Sequence, residues 1–182
     1  MATAKVLETG SFVDERDKQK YLTVKTPDGR IWMAQNLNFD TKHHWDFDDA
    51  AYDTAKYGRL YPFDMLKKAC PKDWRLPTKE DWGELITASG GWNTAGKILK
   101  AKNDWDGNGN GTDDLGFSAL PGGFQIPIIG CYCVRAIGSW WAADDGGNGH
   151  CYQVIMGFKS DAVALESNGK DRGFSVRCVK DE

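Results

Sequence analysis

Eight tryptophans and twenty-one glycines share a chain of 182 residues, and together they narrow the folds open to it. Glycine weakens helix interiors and permits irregular backbone, while tryptophan supplies large apolar anchors with a polar handle. Their combination points away from a helical bundle and towards irregular backbone pinned by aromatic side chains. A mass of 20.2 kDa suits one domain spanning residues 1–182. Hydrophobic residues at 41% and charged residues at 27% are ordinary globular values and exclude general disorder. No stretch approaches the roughly 20 apolar residues of a membrane span, which excludes membrane insertion.

The charge balance, 23 basic against 26 acidic residues, gives −3. No run of Lys and Arg is wide enough to neutralise a row of phosphates, which argues against a nucleic-acid partner. The opening MATAKVLETG lacks the apolar core of a secretory signal, and residues 1–16 are expected to form a loosely ordered N-terminal segment. Five cysteines without a CxxC fit neither a zinc ribbon nor a dense disulfide scaffold, and leave one thiol over if two pairs form.

Tyr21 to Lys25, the turn Pro27-Asp28-Gly29 and Arg30 to Ala34 predict a hairpin. Residues 38–57 lack a clean period and predict mostly loop. Pro62 to Cys70, with Phe63, Leu66 and Ala69 at three-residue spacing, predicts a first helix that stops before Pro71. Trp74 to Pro77 is extended, and Thr78 caps a second helix whose first turn carries Glu80 and Asp81 and whose buried face is Trp82, Leu85 and Ile86. Gly90-Gly91 ends it, Ala95 to Ala101 adds a turn, and residues 103–116 form a Gly/Asn/Asp loop. Phe117 to Leu120, Ser139 to Ala142, Tyr152 to Met156, Ala162 to Leu165 and Phe174 to Val179 read as short strands. The class is α+β: two helices packed on short antiparallel sheets, with a loop-rich C-terminal half.

Trp140 and Trp141 alternate across a strand, so one enters the core and the other covers the opposite face. Asp106, Asn108, Asn110 and Gly111 match positions 1, 3, 5 and 6 of a calcium loop, but Phe117 stands where the bidentate Glu belongs, and Gly107 and Gly109 make the loop flexible. Calcium therefore competes with a solvated Asx/Gly turn cluster; no other cofactor is implied. His43 and His44 beside Asp46, Asp48 and Asp49 could hold a transition metal, yet adjacent side chains on an extended segment point apart. No GK[ST] follows the glycines at 107, 109 and 111, which rules out a phosphate loop.

The order of these elements resembles a C-type lectin fold. More closely, RIWMAQNLN, KYGRLYPF, ACPKDWRLPTKEDW, NGNGTDDLGFSALPGG, GSWW and GFSVRCVKD resemble the Fibrobacter-type major paralogous domain family, from about Asp17 to Asp181. That resemblance implies the C-type lectin fold. It also implies that Cys70 and Cys178 tie an early helix to the last strand, as a disulfide in an oxidising compartment or as buried thiols in a reducing one. Cys131 and Cys133 would share a face of a strand, unpaired or with one linked to Cys151.

Members of this type also serve as variable proteins of diversity-generating retroelements, in which template adenines are rewritten near the 3′ end of the gene. Asn codons can then become many residues, but not Lys, Glu, Gln, Met or Trp. Residues 124–156 are the implied variable, ligand-binding region. Ile126, Ile128, Cys131, Cys133, Arg135, Ile137, Ser139, Asp144, Asp145, Gly147, Asn148, His150 and Cys151 lie within the reachable set, and Tyr132 joins them as a contact residue. Gln125, Gln153, Met156, Lys159, Glu166 and Lys170 lie outside it. The bland alternative places Ile126, Ile128 and Ile137 in the core.

The resemblance thus implies a non-enzymatic binding protein on a cell surface or virus particle, whose partner is a protein or glycan on another cell or particle. A fixed adhesin or carbohydrate-binding module of the same family is the alternative. Neither Glu-Pro-Asn nor Gln-Pro-Asp is present, against calcium-dependent sugar binding. A formylglycine-generating-type oxidase is a lesser alternative, since the spacing of Cys131 and Cys133 does not suit its reactive pair.

Overall fold

A computed structural model describes residues 8–42 and 52–180. The hairpin predicted at the start is β2 (Lys20–Lys25) paired with β3 (Ile31–Met33), with Val24 opposite Trp32. It is preceded by β1 (Glu8–Val13), antiparallel to β2 from Glu8 opposite Lys25 to Val13 opposite Lys20. The expectation of loose order over 1–16 is therefore corrected for the described part of that segment. Phe12 anchors the strand, stacking 4.4 Å from the Trp74 ring and 5.6 Å from Tyr21. Arg16 then bonds the Asp14 carboxylate and the carbonyls of Lys68 (2.8 Å) and Ala69 (2.7 Å).

After the short α1 (Thr54–Tyr57) comes β4 (Tyr61–Pro62). The predicted first helix is shorter and tighter than expected: Phe63–Lys68 is a 3-10 segment. Its apolar residues recur every three positions, which is the 3-10 period rather than the α period. Trp74–Arg75 forms β5, and the main helix α2 (Lys79–Ala88) follows. Its start is a capping box, Thr78 accepting from the Asp81 N–H while the Asp81 carboxylate accepts from the Thr78 N–H. Trp82, Leu85 and Ile86 are buried as predicted.

Following α3 (Ala95–Leu99), the chain forms β6 (Phe124–Ile126), β7 (Gly130–Tyr132), β8 (Ile137–Gly147), β9 (His150–Gly157), β10 (Val163–Gly169), β11 (Gly173–Phe174) and β12 (Val179–Lys180). Phe117 to Leu120 is not a strand; Ala119 makes only an isolated bridge to Lys100. The predicted strand from Phe174 to Val179 is interrupted, its two ends serving different sheets. Those sheets are β1-β2-β3-β12-β5, β4-β11-β6-β7 and β10-β9-β8. The result is a mixed α/β protein with few helices and several antiparallel sheets. No described helix is long and apolar enough to cross a membrane.

β8 separates two cores. Trp140 packs with Trp32, Trp82, Phe117 and Val154, whereas Trp141, one residue on, packs with Tyr61, Phe174, Val176 and Cys178. Both indoles are fully buried and both find acceptors, Trp140 on Asn36 Oδ1 at 2.9 Å and Trp141 on the Tyr61 carbonyl at 2.6 Å. Cys70 and Cys178 form a disulfide across 108 residues, with Cα atoms 5.8 Å apart, fastening the 3-10 end to the last strand region.

Two buried cations hold the loop-rich part. The Lys100 side chain is 1% exposed, and its ammonium donates to the carbonyls of Gly157 (3.2 Å) and Ser160 (2.9 Å). Arg177 donates to Asn36 Oδ1 (2.9 Å) and to the carbonyls of Phe117 and Ser118. Burial pushes its guanidinium down to about 9, with Asp113 acting in the opposite sense.

Candidate ligand-binding surface

Residues 124–137 leave the body and return to it as β6, a tight turn, β7 and a second turn that leads into β8. The base is held by backbone bonds: Gly123 N–H to Ile137 O (2.7 Å), Arg135 N–H to Pro121 O (2.8 Å), Phe158 N–H to Ala136 O (2.9 Å) and Ile137 N–H to Cys133 O (2.9 Å). Gly123 has φ +70 and lies where an added Cβ would sit 2.9 Å from the Val134 nitrogen, so only glycine fits this crossing.

The outer part is open. Ile128 is 84% exposed, Ile129 58% and Tyr132 40%. Cys133 and Arg135 are exposed as well, while Ile126 and Ile137 are half-buried. None of the three isoleucines Ile126, Ile128 and Ile137 belongs to either core. Ile128, Cys133 and Arg135 have positive φ of 70, 56 and 71°. For a β-branched residue such as Ile128 this is a costly conformation that Asn or Gly would adopt readily.

The calcium-loop residues meet this surface from below. Asp106 Oδ1 accepts from Arg135 Nε at 2.8 Å, and the Asp106 N–H donates to the Arg135 carbonyl at 2.9 Å. Asn110 Oδ1 accepts from the Trp105 N–H at 3.1 Å, and the Asn110 carbonyl accepts from Lys97 Nζ at 3.1 Å. Asn108 is exposed. Gly109 does not loosen the loop as expected. A Cβ at Gly109 would lie 2.6 Å from Phe158 Cβ and one at Gly111 2.7 Å from Lys100 Cβ, so they allow close packing. Among the described residues no group of three or more His, Cys, Asp and Glu is gathered for a metal. His43, His44, Asp46, Asp48 and Asp49 lie outside the described residues.

The other predicted contacts lie on β8 and β9. Gly147, Asn148 and His150 are exposed at the hairpin end, with Asn148 at φ +50. Asp145 is exposed too; a hydrogen bond from Lys170 at 2.8 Å and one from the Gly147 N–H hold its carboxyl below the usual range. Three assignments are corrected. Ser139 (2% exposed) is buried because β8 is covered on both faces there, and Cys151 (0%) because it falls on the face of β9 that enters the Trp141 core. Asp144 is half-buried and accepts from the Lys79 N–H at 2.6 Å, so it caps α2 rather than facing a ligand.

Cys131, Cys133 and Cys151 are outside the disulfide. Cys131 and Cys133 do not share a regular strand face, since β7 ends at Tyr132 and Cys133 turns to positive φ. Burial pushes the Cys151 thiol up.

Two exposed features were not legible in the sequence. Ile129 projects next to Ile128. Trp92, 39% exposed, lines an open groove with Asp28, Glu80, Gly83, Glu84, Thr87 and Ala88. The Gly90-Gly91 stop before Trp92 was the available signal for the latter.

Fold and surface together define a protein with a doubly pinned interior and an exposed, conformationally strained hairpin. The family model described as Fibrobacter succinogenes major domain matches residues 24–180, and the chain belongs to that family. Comparisons with curated proteins and with solved structures find no match.

Proposed function

We propose that this chain is a ligand-binding variable protein of a diversity-generating retroelement, with a C-type lectin-like scaffold that displays residues 126–137 and the end of the β8–β9 hairpin. It would work at a cell surface or on a virus particle, recognising a protein or glycan on another cell or particle, without catalysis. The reading rests above all on one observation: exposed Ile128, Cys133 and Arg135 occupy left-handed backbone that suits Asn or Gly. A scaffold whose template residue there is Asn, and whose side chains are replaced without rebuilding the backbone, carries such mismatches as a consequence.

Mechanistically, the surface is presented and the body is left alone. Gly123, the pairing of Gln125 with Gly173 and the bonds at the base fix the hairpin, and Asp106 fixes Arg135 from both its main chain and its side chain. The reading needs no cofactor.

The test is deep sequencing of the gene across a natural population, comparing codons 124–156 with codons 60–122. Adenine-derived changes clustered at codons 126, 128, 131, 133, 135, 137, 147, 148 and 150, and absent from 139 and 151, are expected. Uniform low variation would sink the reading. Trp92 then supports the second one, a fixed adhesin or glycan-binding module, because an exposed indole above a groove with carboxylates offers a stacking face for a sugar.

A further inference from the structure

We infer that Cys151 and Lys170 form a redox-reversible modification site, in which dioxygen joins Cys151 Sγ to Lys170 Nζ through a single bridging oxygen. The inference concerns the support beneath the end of the β8–β9 hairpin and stands whatever that surface binds.

Strand order carries the pairing. β9 lies between β8 and β10, and Cys151 is opposite Asp145 on one side and Asn168 on the other. Lys170 follows β10, and its N–H donates to the Gly149 carbonyl at 3.0 Å, so it enters beside the start of β9. From there its side chain reaches Asp145 Oδ2 on β8 at 2.8 Å. An ion pair that runs from the end of β10 to β8 has to cross β9. What it crosses is Cys151, because residues opposite one another in a ladder share a face. The same ammonium lies 5.2 Å from the Phe63 ring, which packs against the core cluster that holds Cys151. It hydrogen-bonds Sγ as well as Asp145, and the Gly146 N–H donates to the same sulfur.

The ion pair is the cover over the thiol: Cys151 is 0% exposed, whereas the Lys170 and Asp145 side chains are 34% and 65% exposed. Cys151 is outside the disulfide. Such a seat shuts out a second, bulky thiol and admits a small apolar oxidant. Oxidised sulfur condenses with the thiol or nitrogen beside it, and here the neighbour is Nζ.

The step starts from thiol and ammonium, the forms favoured by burial of the sulfur and by the hydrogen bond to Asp145. The O–O bond, the S–H bond and two N–H bonds break, and S–O and O–N bonds form. One oxygen stays in the bridge and the other leaves as water. Dioxygen takes four electrons, two from sulfur and two from nitrogen. Of the three hydrogens released, two leave in the water and one passes as a proton to the Asp145 carboxylate. The product ties β9 to the turn between β10 and β11, replacing an ion pair that salt weakens with a covalent link.

The test is tryptic peptide mapping of the full chain after days in air-saturated buffer, against an anaerobic sample, with free thiols alkylated in denaturant before digestion. Cys151 falls in peptide 136–159, and Lys170 ends peptide 160–170. The expected product from the aerated chain alone is 136–159 joined to 160–172, heavier than the two together by one oxygen less two hydrogens. Cleavage after Lys170 and alkylation of Cys151 are lost with it. Excess dithiothreitol, supplying four electrons and four protons, restores thiol and amine. Lys170→Arg keeps a cation against Asp145 but has no amine to oxidise, so it abolishes the product while a thermal melt shows the fold retained. Asp145→Asn slows formation about tenfold or more.

Cys151 still alkylated after aeration overturns the inference. Oxygen gained at Cys151 in an unjoined 136–159 does so too, because the sulfur has then been oxidised without the nitrogen. Peptide 136–159 joined instead to 103–135 is a disulfide to Cys131 or Cys133 and overturns it as well, as does the same product in Lys170→Arg.

Discussion

The middle of β8 and the hairpin that precedes it carry similar apolar content and treat it oppositely. In β8, Trp140 and Trp141 are fully buried in two different cores, with each indole N–H satisfied. In the hairpin, Ile128 and Ile129 stand 84% and 58% exposed, and the backbone at 128 is one that isoleucine fits poorly. One segment is over-determined by its neighbours; the other is held at its base and left unconstrained at its tip. Tolerance of substitution should follow that difference, because a side chain with no packing partners leaves no cavity when replaced.

The contrast breaks most visibly at the tryptophans. Trp141→Ala is expected to cost about 3–5 kcal/mol, since it empties a packed site and orphans the Tyr61 carbonyl; urea unfolding measures it. A loss below about 1 kcal/mol would mean that the second core is not what holds β8.

Next is the disulfide. Replacing Cys70 and Cys178 together by Ser releases a closed loop of 108 residues, with an expected loss of about 2–4 kcal/mol. The same melt with and without reductant on the native chain should report a matching difference.

The helix start sharpens the comparison by pH. Burial alone would raise the Asp81 carboxyl, but hydrogen bonds from Arg75 and Thr78 overcome it and hold the group below its ordinary 3.8. Arg30 Nε adds a charge 2.9 Å from its Oδ1. A depressed folded value means that the stabilisation is complete above the ordinary value and is lost as pH falls through the folded one. Asp81→Asn should cost about 2 kcal/mol at neutral pH and flatten the acid side of a stability profile below about pH 4. An unchanged acid limb would contradict the capping geometry.

At the hairpin the sign reverses. Ile128→Asn should stabilise by about 1 kcal/mol through relief of left-handed strain, read as a raised melting temperature. Smallest of all, Ile129→Ser should stay within about 0.5 kcal/mol, since that side chain touches little. A large loss from either change would place the tip in a core and remove it from the candidate surface.

Much of the scaffold was legible because its signals are local. The Pro-Asp-Gly turn announced β2 and β3, Thr78 with Asp81 announced α2, and neighbouring tryptophans on a strand implied two opposite faces. Residues whose role depends on distant partners were not legible. Ser139 and Cys151 looked like surface positions, but β8 is covered on both faces at Ser139 and Cys151 faces the Trp141 core. Asp144 looked like a contact until the Lys79 N–H was found against it. Gly109 suggested looseness, whereas Phe158 fills the space a side chain would need. The three-residue apolar spacing from Phe63 to Ala69 was visible but assigned to the wrong helix type, and β1 was missed because the order of a largely exposed edge strand comes from its neighbour.

The sequence by itself determined the mixed α/β class and the family, and marked residues 124–156 as a loop-rich stretch of mixed chemistry, because turn chemistry, caps and aromatic anchors act over a few residues. Which side chains within that stretch face outward, which backbone positions are strained, and which charge is already spent were decided only by the tertiary structure. Exposure and pairing depend on register and on partners far along the chain. Arg135 meets Asp106, Lys79 meets Asp144 and Cys70 meets Cys178 only after the sheets have closed.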